Sequence, residues 1–384
     1  MKVCLVSYEF PPNIIGGAGT YAELLVRGLK RKDVDVFVIT RGEGNDRYRQ
    51  IFGIPSSEAQ YFRRLFFIKP ALDMLDKLHK IEKFDLVHFN EPHLLLRKPR
   101  MPTVCTVHSS QVNEIRTKIA NPYAGNTVAD VKDLVLKSPI GSLGDIVTVH
   151  AADKIICPSA HLAGLIESYC LVDAQRICVV PNGIDVKEFD SMEESDTNIL
   201  DKHDVKAGNY VLFMGRLSIF KGVQYLIQAF RNVKEKGCSN LKLVIAGSGN
   251  FEDYLRTFAR GMKDIVFVGH VNSVSVKKTL YKNSFAVVVP SLYEAFPMVI
   301  LEAMACAKVI IASEVGDVSC LVEHGKTGFL VKPGDAASLA KYIRILHNDQ
   351  DLTESMGLCG RQLLEREYTL DRMIDRTLRI YDSM

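Results

Sequence analysis

Short apolar runs rich in Val and Ile alternate along this chain with longer stretches whose apolar residues recur at helical spacing. That alternation predicts parallel α/β sheets, with each strand followed by a crossover helix. Strands are expected at 2–7, 35–39, 85–89, 103–107, 154–157 and 177–180, and again at 210–214, 241–246, 265–268, 285–289, 308–311 and 328–331. Helices are expected at 20–30, where Thr20 and Glu23 form a capping box, and at 70–82, 222–236 and 336–346. Asp335 caps the last of these. The two strand series are separated by 183–208, an acidic, polar and strand-poor segment that reads as a linker.

With 384 residues the chain exceeds one comfortable core, so two doubly wound domains facing each other across a cleft are expected. In such sheets ligands gather beyond the carboxyl ends of the strands, beside helix N-termini. The net charge of +3 excludes general nucleic-acid binding, so partners must be sought in local sites. No apolar run approaches the ~20 residues that span a bilayer. The start, MKVCLVSYEFPP, reads as a strand stopped by prolines, not as a signal peptide. Nine scattered cysteines form no CxxC pair and no Cys/His cluster, which fits a reducing, cytoplasmic setting without a zinc site or disulfide framework.

The strand-to-helix loops carry the chemistry. After strand 2–7, Gly16, Gly17 and Gly19 precede a helix and are expected to leave amides open to an anion. The alternative there is a turn that simply feeds the helix. The spacing is not GxGxxG, and 36–40 reads Val-Phe-Val-Ile-Thr with no acidic ribose ligand, which disfavours a dinucleotide. After strand 210–214, Arg216 and Lys221 stand beside a helix's positive end, where two cations call for an anion such as a diphosphate. Solvated loop charges are the other reading of that pair. Gly247-Ser248-Gly249 offers a further backbone approach or a tight turn.

Strand 285–289 runs into Pro290-Ser291-Leu292-Tyr293-Glu294-Ala295-Phe296-Pro297-Met298-Val299-Ile300-Leu301-Glu302-Ala303, where two glutamates interrupt an apolar run. Pro297 suits the first helical position, yet no Ser, Thr, Asp or Asn caps the helix. The amides near Phe296, Met298 and Val299 therefore need an acceptor, and Glu294 and Glu302 can take hydrogen bonds from a polyhydroxy ligand. Pairing of Glu302 with a distant Arg or Lys is the competing reading. His108 ends strand 103–107, and Asn90 and Glu91 follow strand 85–89. All three are candidates for the ligand-facing side, with Asn90 and Glu91 toward an acceptor. The strings Asp33-Val34-Asp35 and Asp349-Gln350-Asp351 do not suit a catalytic metal site, the first because it precedes its strand and the second because it falls in an inter-helix turn.

Together these segments resemble the GT-B-fold retaining glycosyltransferases of family four, also called glycosyl transferase group 1. The resemblance rests on GGAGTYAELL, TVH at 106–108, VPNGID at 180–185, GRLSIFKGVQYLIQAF at 215–230, AGSG at 246–249 and the Glu294-x7-Glu302 pair. It implies an acceptor-side Rossmann-like domain over 1–190, completed by a C-terminal helix about 366–384, and a nucleotide-sugar domain over 191–365. It also implies that Arg216 and Lys221 bind the donor diphosphate, and that Glu302 meets the ribose. Glu294, Phe296, Met298 and Val299 would surround the donor sugar, with His108 near the reacting carbon. Gly16, Gly17 and Gly247 would approach the donor, and Val271 lies in the loop holding the base. No metal or other cofactor is implied.

Departures are Ala295 and Pro297 where the family often has glycines, and Cys320 where a glutamate is usual. The implied reaction moves a sugar from a UDP-, GDP- or ADP-linked donor to a glycan, lipid-linked or small-molecule acceptor hydroxyl. A nucleotide-sugar epimerase of the same architecture and a non-catalytic nucleotide-sugar-binding subunit stay open as alternatives. At 61–69, Tyr61-Phe62-Arg63-Arg64-Leu65-Phe66-Phe67-Ile68-Lys69 mixes bulky apolar and basic residues, and Arg97-Lys98-Pro99-Arg100 adds more charge. This reads either as a peripheral contact with the inner membrane face or as an amphipathic core helix.

Overall fold

The computed structural model describes residues 1–14, 16–42, 51–54, 63–91, 95, 97–109, 138–190, 198–238, 240–271 and 273–384. The chain forms two compact units, Met1–Gly183 with Leu370–Met384, and Ile184–Thr369.

The first unit holds a seven-stranded parallel sheet in the order β3-β2-β1-β4-β5-β6-β7. Its strands are β1 (Lys2–Ser7), β2 (Asp35–Arg41), β3 (Ile51–Ile54), β4 (Leu86–Phe89), β5 (Thr103–Thr106), β6 (Lys154–Cys157) and β7 (Ile177–Val179). The second unit holds six parallel strands in the order β10-β9-β8-β11-β12-β13. These are β8 (Tyr210–Met214), β9 (Lys242–Ala246), β10 (Ile265–Gly269), β11 (Ala286–Val289), β12 (Val309–Ser313) and β13 (Gly328–Val331). Sheets covered by helices on both faces bury their strands completely, so β8 and β11 are continuous apolar runs without alternation, and β12 is apolar up to its last residue, Ser313. In each sheet the winding reverses once, between β1 and β4 and between β8 and β11. The loops leaving those strands part company there and leave room for a ligand.

Twelve strand positions match the expected runs to within a residue or two, and β3 adds a short edge strand. Several helix starts differ. The first helix spans Gly17–Arg31, so Thr20 lies inside it and caps nothing; Gly16, with an extended backbone, is the N-cap. The helix expected over 70–82 runs Arg63–Glu82 and takes Pro70 into its interior. Segment 183–208 is no bare linker: it contains the helices Val186–Asp190 and Asn198–Lys202, and its residues 191–197 lie outside the described ones. Asp190 is tied to Arg361 at 2.8 Å, which fastens that stretch into the second unit. Asp335 caps its helix as expected, accepting from the Ser338 amide at 3.0 Å. Asp349 likewise caps the helix Gln350–Glu367, and Asp33 lies in the turn entering β2 while Asp35 is that strand's first residue, both away from the strands' carboxyl ends.

Part of the expected membrane surface, Tyr61 and Phe62, lies outside the described residues. Of the rest, Phe67 and Ile68 are core residues, Arg97 pairs with Asp76 and Asp73, and Lys98 pairs with Asp153. Those observations favour the core-helix reading for the described part. Among the described residues no helix is long and apolar enough to cross a membrane. All nine cysteines are free thiols.

The C-terminal helix, Leu370–Asp382, belongs to the first unit and packs on the Gly17–Arg31 helix. They approach closely at Gly28, where an added Cβ would stand 2.3 Å from Ile374 Cγ1. Gly28→Val should therefore lower unfolding stability by about 2 kcal/mol, the overpacking cost less a small gain in helix propensity. Urea denaturation measures this, and a variant as stable as the native chain contradicts the packing account.

Candidate active site

In the second unit the β8 and β11 loops meet at the point where the sheet reverses. Gly215 turns the chain out of β8, the 3₁₀ turn Ile219–Lys221 follows, and Gly222 caps the helix Val223–Glu235. Gly222 has φ 63°, and a Cβ there would lie 2.0 Å from the Pro290 carbonyl oxygen. Only glycine lets the two loops touch backbone to backbone. The Leu292 amide then donates to the Phe220 carbonyl at 2.7 Å and locks the pair of loops.

This contact brings Lys221 onto Glu294. The ammonium donates to Glu294 Oε1 at 2.5 Å, and Ser291 Oγ donates to the same oxygen at 2.8 Å. Glu294 is nearly buried, its side chain 10% exposed, so the ion pair compensates a charge that water cannot reach well. The anion that the cationic loop calls for is thus supplied within the chain. Among the described residues Glu294 Oε2 takes no hydrogen bond, and Arg216, exposed on the same loop, makes no ion pair.

Glu302 lies in the Met298–Ala305 helix and finds partners that no sequence spacing announced. Tyr281 donates to its Oε2 at 2.6 Å, and Lys277 reaches its Oε1 at 3.4 Å. Burial raises the Tyr281 hydroxyl's pKa well above its ordinary value, the Glu302 charge adds to that rise, and the phenol remains a donor. The competing reading, a distant lysine partner for Glu302, is therefore realised, and it coexists with a carboxylate that keeps further acceptor capacity. Pro297 is the helix N-cap and not its first residue; no side chain caps the helix, so the amides of Met298 and Val299 open its first turn. Phe296 packs edge-on against Tyr368. Behind Glu294 stands Gly316, just before the short helix Val318–Leu321: a Cβ on Gly316 would lie 2.1 Å from the Glu294 carbonyl oxygen. Gly247, at the end of β9, donates its amide to the Gly269 carbonyl at 2.7 Å and so joins the turn that leads to half-buried Val271.

The first unit assembles its own cluster at the β1–β4 reversal. The Gly16 amide, expected to be open to an anion, donates to Glu9 Oε2 at 2.9 Å. Glu9 escaped the sequence reading because the carboxylate precedes two prolines and only their turn folds it back. Gly17 opens the helix and is exposed. His108 reaches the same end of the sheet, with Nε2 2.9 Å from Asn90 Oδ1 and Tyr21 edge-on to its ring. Asn90, an acceptor candidate, is completely buried and donates to Ser7 Oγ and to the Ala18 carbonyl, both at 3.0 Å, so it braces the cluster. Glu91, the other acceptor candidate, is also buried.

Below His108 lies a second histidine. His88 is fully buried, with Nδ1 2.5 Å from Tyr381 Oη and Nε2 2.7 Å from Thr106 Oγ1. The C-terminal helix thereby contributes a polar group to the sheet beneath the site. Among the described residues no three His, Cys, Asp or Glu side chains stand close enough to hold a metal ion.

Sequence profiles of two families match in succession: residues 15–188 fit that described as Glycosyltransferase Family 4, and residues 195–363 that described as Glycosyl transferases group 1. The chain is 29% identical to an uncharacterized glycosyltransferase of Methanocaldococcus jannaschii over 99% of this chain and 98% of the relative. It is 26% identical to the alpha-maltose-1-phosphate synthase of Mycolicibacterium smegmatis over 99% of each. Its fold matches sucrose-phosphate synthase from Thermosynechococcus elongatus at a TM-score of 0.80 with 19% identity, over 100% of this chain and 98% of that one. Anabaena HepE in complex with UDP-glucose matches at 0.77 with 18% identity over the whole of both chains.

His88 makes this cluster sensitive to acid. Burial, helped by the neighbouring His108 charge, lowers its pKa from 6.5 to about 3. Between those values the unfolded chain binds a proton that the folded one refuses, so stability falls as pH falls. The expected slope is about 1.4 kcal/mol per pH unit below the unfolded pKa. Urea unfolding at pH 7 and pH 5 should show His88→Gln losing that part of the slope; an unchanged slope refutes it.

Proposed function

This chain belongs to the family-four glycosyltransferases of GT-B fold, and on that premise we propose that it is a retaining enzyme using a nucleoside-diphosphate sugar. The observation that carries the reading is the contact of Lys221 with Glu294 where the β8 and β11 loops meet, with Arg216 on the same β8 loop. A neighbour of the same fold binds UDP-glucose, which supports the donor class.

In this reading the donor diphosphate lies over the start of the Val223–Glu235 helix. An ammonium has three donors; one of Lys221's meets Glu294, and the others turn to phosphate oxygens alongside the Arg216 fork. Their positive charge stabilises the departing diphosphate as the bond from C1 to the phosphate oxygen breaks, so the reaction calls for no metal ion. The acceptor oxygen bonds to C1 on the same face, and its proton passes to the leaving phosphate oxygen. Glu294 Oε2 is placed to take a donor-sugar hydroxyl, because Ser291 and Lys221 both hold the other oxygen. Glu302, aimed by Tyr281, accepts from the ribose hydroxyls. His108 is proposed as a further residue of the transfer reaction.

Lys221→Ala and Glu294→Ala should each lower turnover by about 10²–10³-fold with the fold intact by circular dichroism. Wild-type-like rates in either sink the assignment. A thermal-shift panel of UDP-, GDP- and ADP-sugars should identify the donor, since ligand binding stabilises by mass action. Proton NMR of the product then reads the anomeric configuration, where inversion contradicts the retaining course.

A further inference from the structure

The hydrogen bonds around Asn90 determine which nitrogen of His108 carries its proton. The Ala18 carbonyl can only accept, so the Asn90 atom 3.0 Å from it is the amide nitrogen. That nitrogen's second hydrogen points to Ser7 Oγ, also at 3.0 Å, and Ser7 Oγ donates its own hydrogen bond to the Glu9 carbonyl at 2.6 Å. The direction of the chain is thereby fixed from end to end. Asn90 Oδ1 is left facing His108 Nε2 at 2.9 Å and can only accept. His108 must therefore be protonated at Nε2, and in the neutral ring Nδ1 is the basic nitrogen.

We propose that Asn90 is a positioning residue: it sets the His108 tautomer and ties that ring to the glycine turn at the start of the first helix. The tie is physical, because one fully buried amide bridges Ala18, in the first turn of the Gly17–Arg31 helix, and His108, just past β5. Glu9 extends it, since its carbonyl ends the chain from Ser7 while its carboxylate holds the Gly16 amide at 2.9 Å. Tyr21 closes the ring's other side at 4.6 Å between centroids, so the imidazole has little freedom to turn over. A buried amide with all three contacts made keeps a neighbour's orientation fixed, because any flip would set carbonyl against carbonyl. The functional half of this inference rests on the proposed role of His108 in sugar transfer: the tautomer decides which ring nitrogen is basic.

Two measurements test it. Nitrogen-15 NMR of the imidazoles of the native protein, with His108→Gln to assign the signal, reads the tautomer without any substrate. The proposal expects protonated Nε2, and a proton found on Nδ1 overturns it whether or not the protein transfers sugar. The second is the pH profile of transfer by Asn90→Ala, using the nucleotide sugar that gives the largest thermal shift. Oδ1 stabilises the imidazolium more than the neutral ring, so its loss should move the acid limb to lower pH and reduce kcat at least tenfold. The thermal shift given by the free nucleoside diphosphate should stay within its wild-type range. Asn90→Ser serves if Asn90→Ala does not fold, and a merely structural role would lower the rate without moving the limb. An unmoved limb overturns the functional half. Failure of the wild-type chain to transfer any sugar would instead count against the proposed function and leave the tautomer measurement standing.

Discussion

One ion pair organises the loops at the carboxyl end of the second unit's sheet. Lys221 and Glu294 are separated by 73 positions along the chain and leave two strands that are neighbours in the sheet. Neither charge is comfortable alone: the carboxylate is nearly buried, and the ammonium stands at the positive end of a helix. Together they neutralise each other and hold two loops in register. Backbone packing makes this geometry attainable, since Gly222 lies against Pro290 and Gly316 against the Glu294 carbonyl. The same pair that holds these loops together is the one on which the proposed donor chemistry rests. Structure and proposed chemistry draw on one contact.

The first unit solves the matching problem with neutral groups. Asn90 is fully buried, and each of its polar atoms has a partner, so it orders its neighbours without a desolvated charge. His88 continues the polar layer beneath it and stays neutral because the site is dry. Its contact with Tyr381 explains why the last helix is part of this unit although it follows the other one in sequence. The helix therefore serves the site as well as the core.

What could be read in advance followed from local physics. Strand positions were legible because a strand buried on both faces must be continuously apolar, as at Val287-Val288-Val289. The strand-end loops were legible because glycines and uncompensated charges beside a helix start are rare without a reason. Helix starts were less so: the Thr20–Glu23 spacing fits a capping box, yet Glu9 satisfies the glycine turn and the helix begins three residues sooner. Asn90 stood out because it follows a strand, and only the structure shows its depth and its partners.

The amino-acid sequence by itself determined the fold class, the two strand series and the loops that bear the candidate chemistry, because those depend on periodicity, turn residues and local charge. Tertiary structure alone decided who holds whom. Lys221 goes to Glu294, Lys277 and Tyr281 go to Glu302, Glu9 goes to Gly16, and Asn90 goes to His108. Most of these partners arise on different strand-to-helix units. Their meeting is set by the order of strands in a sheet and by close backbone approaches at glycine, and neither leaves a local mark on the chain.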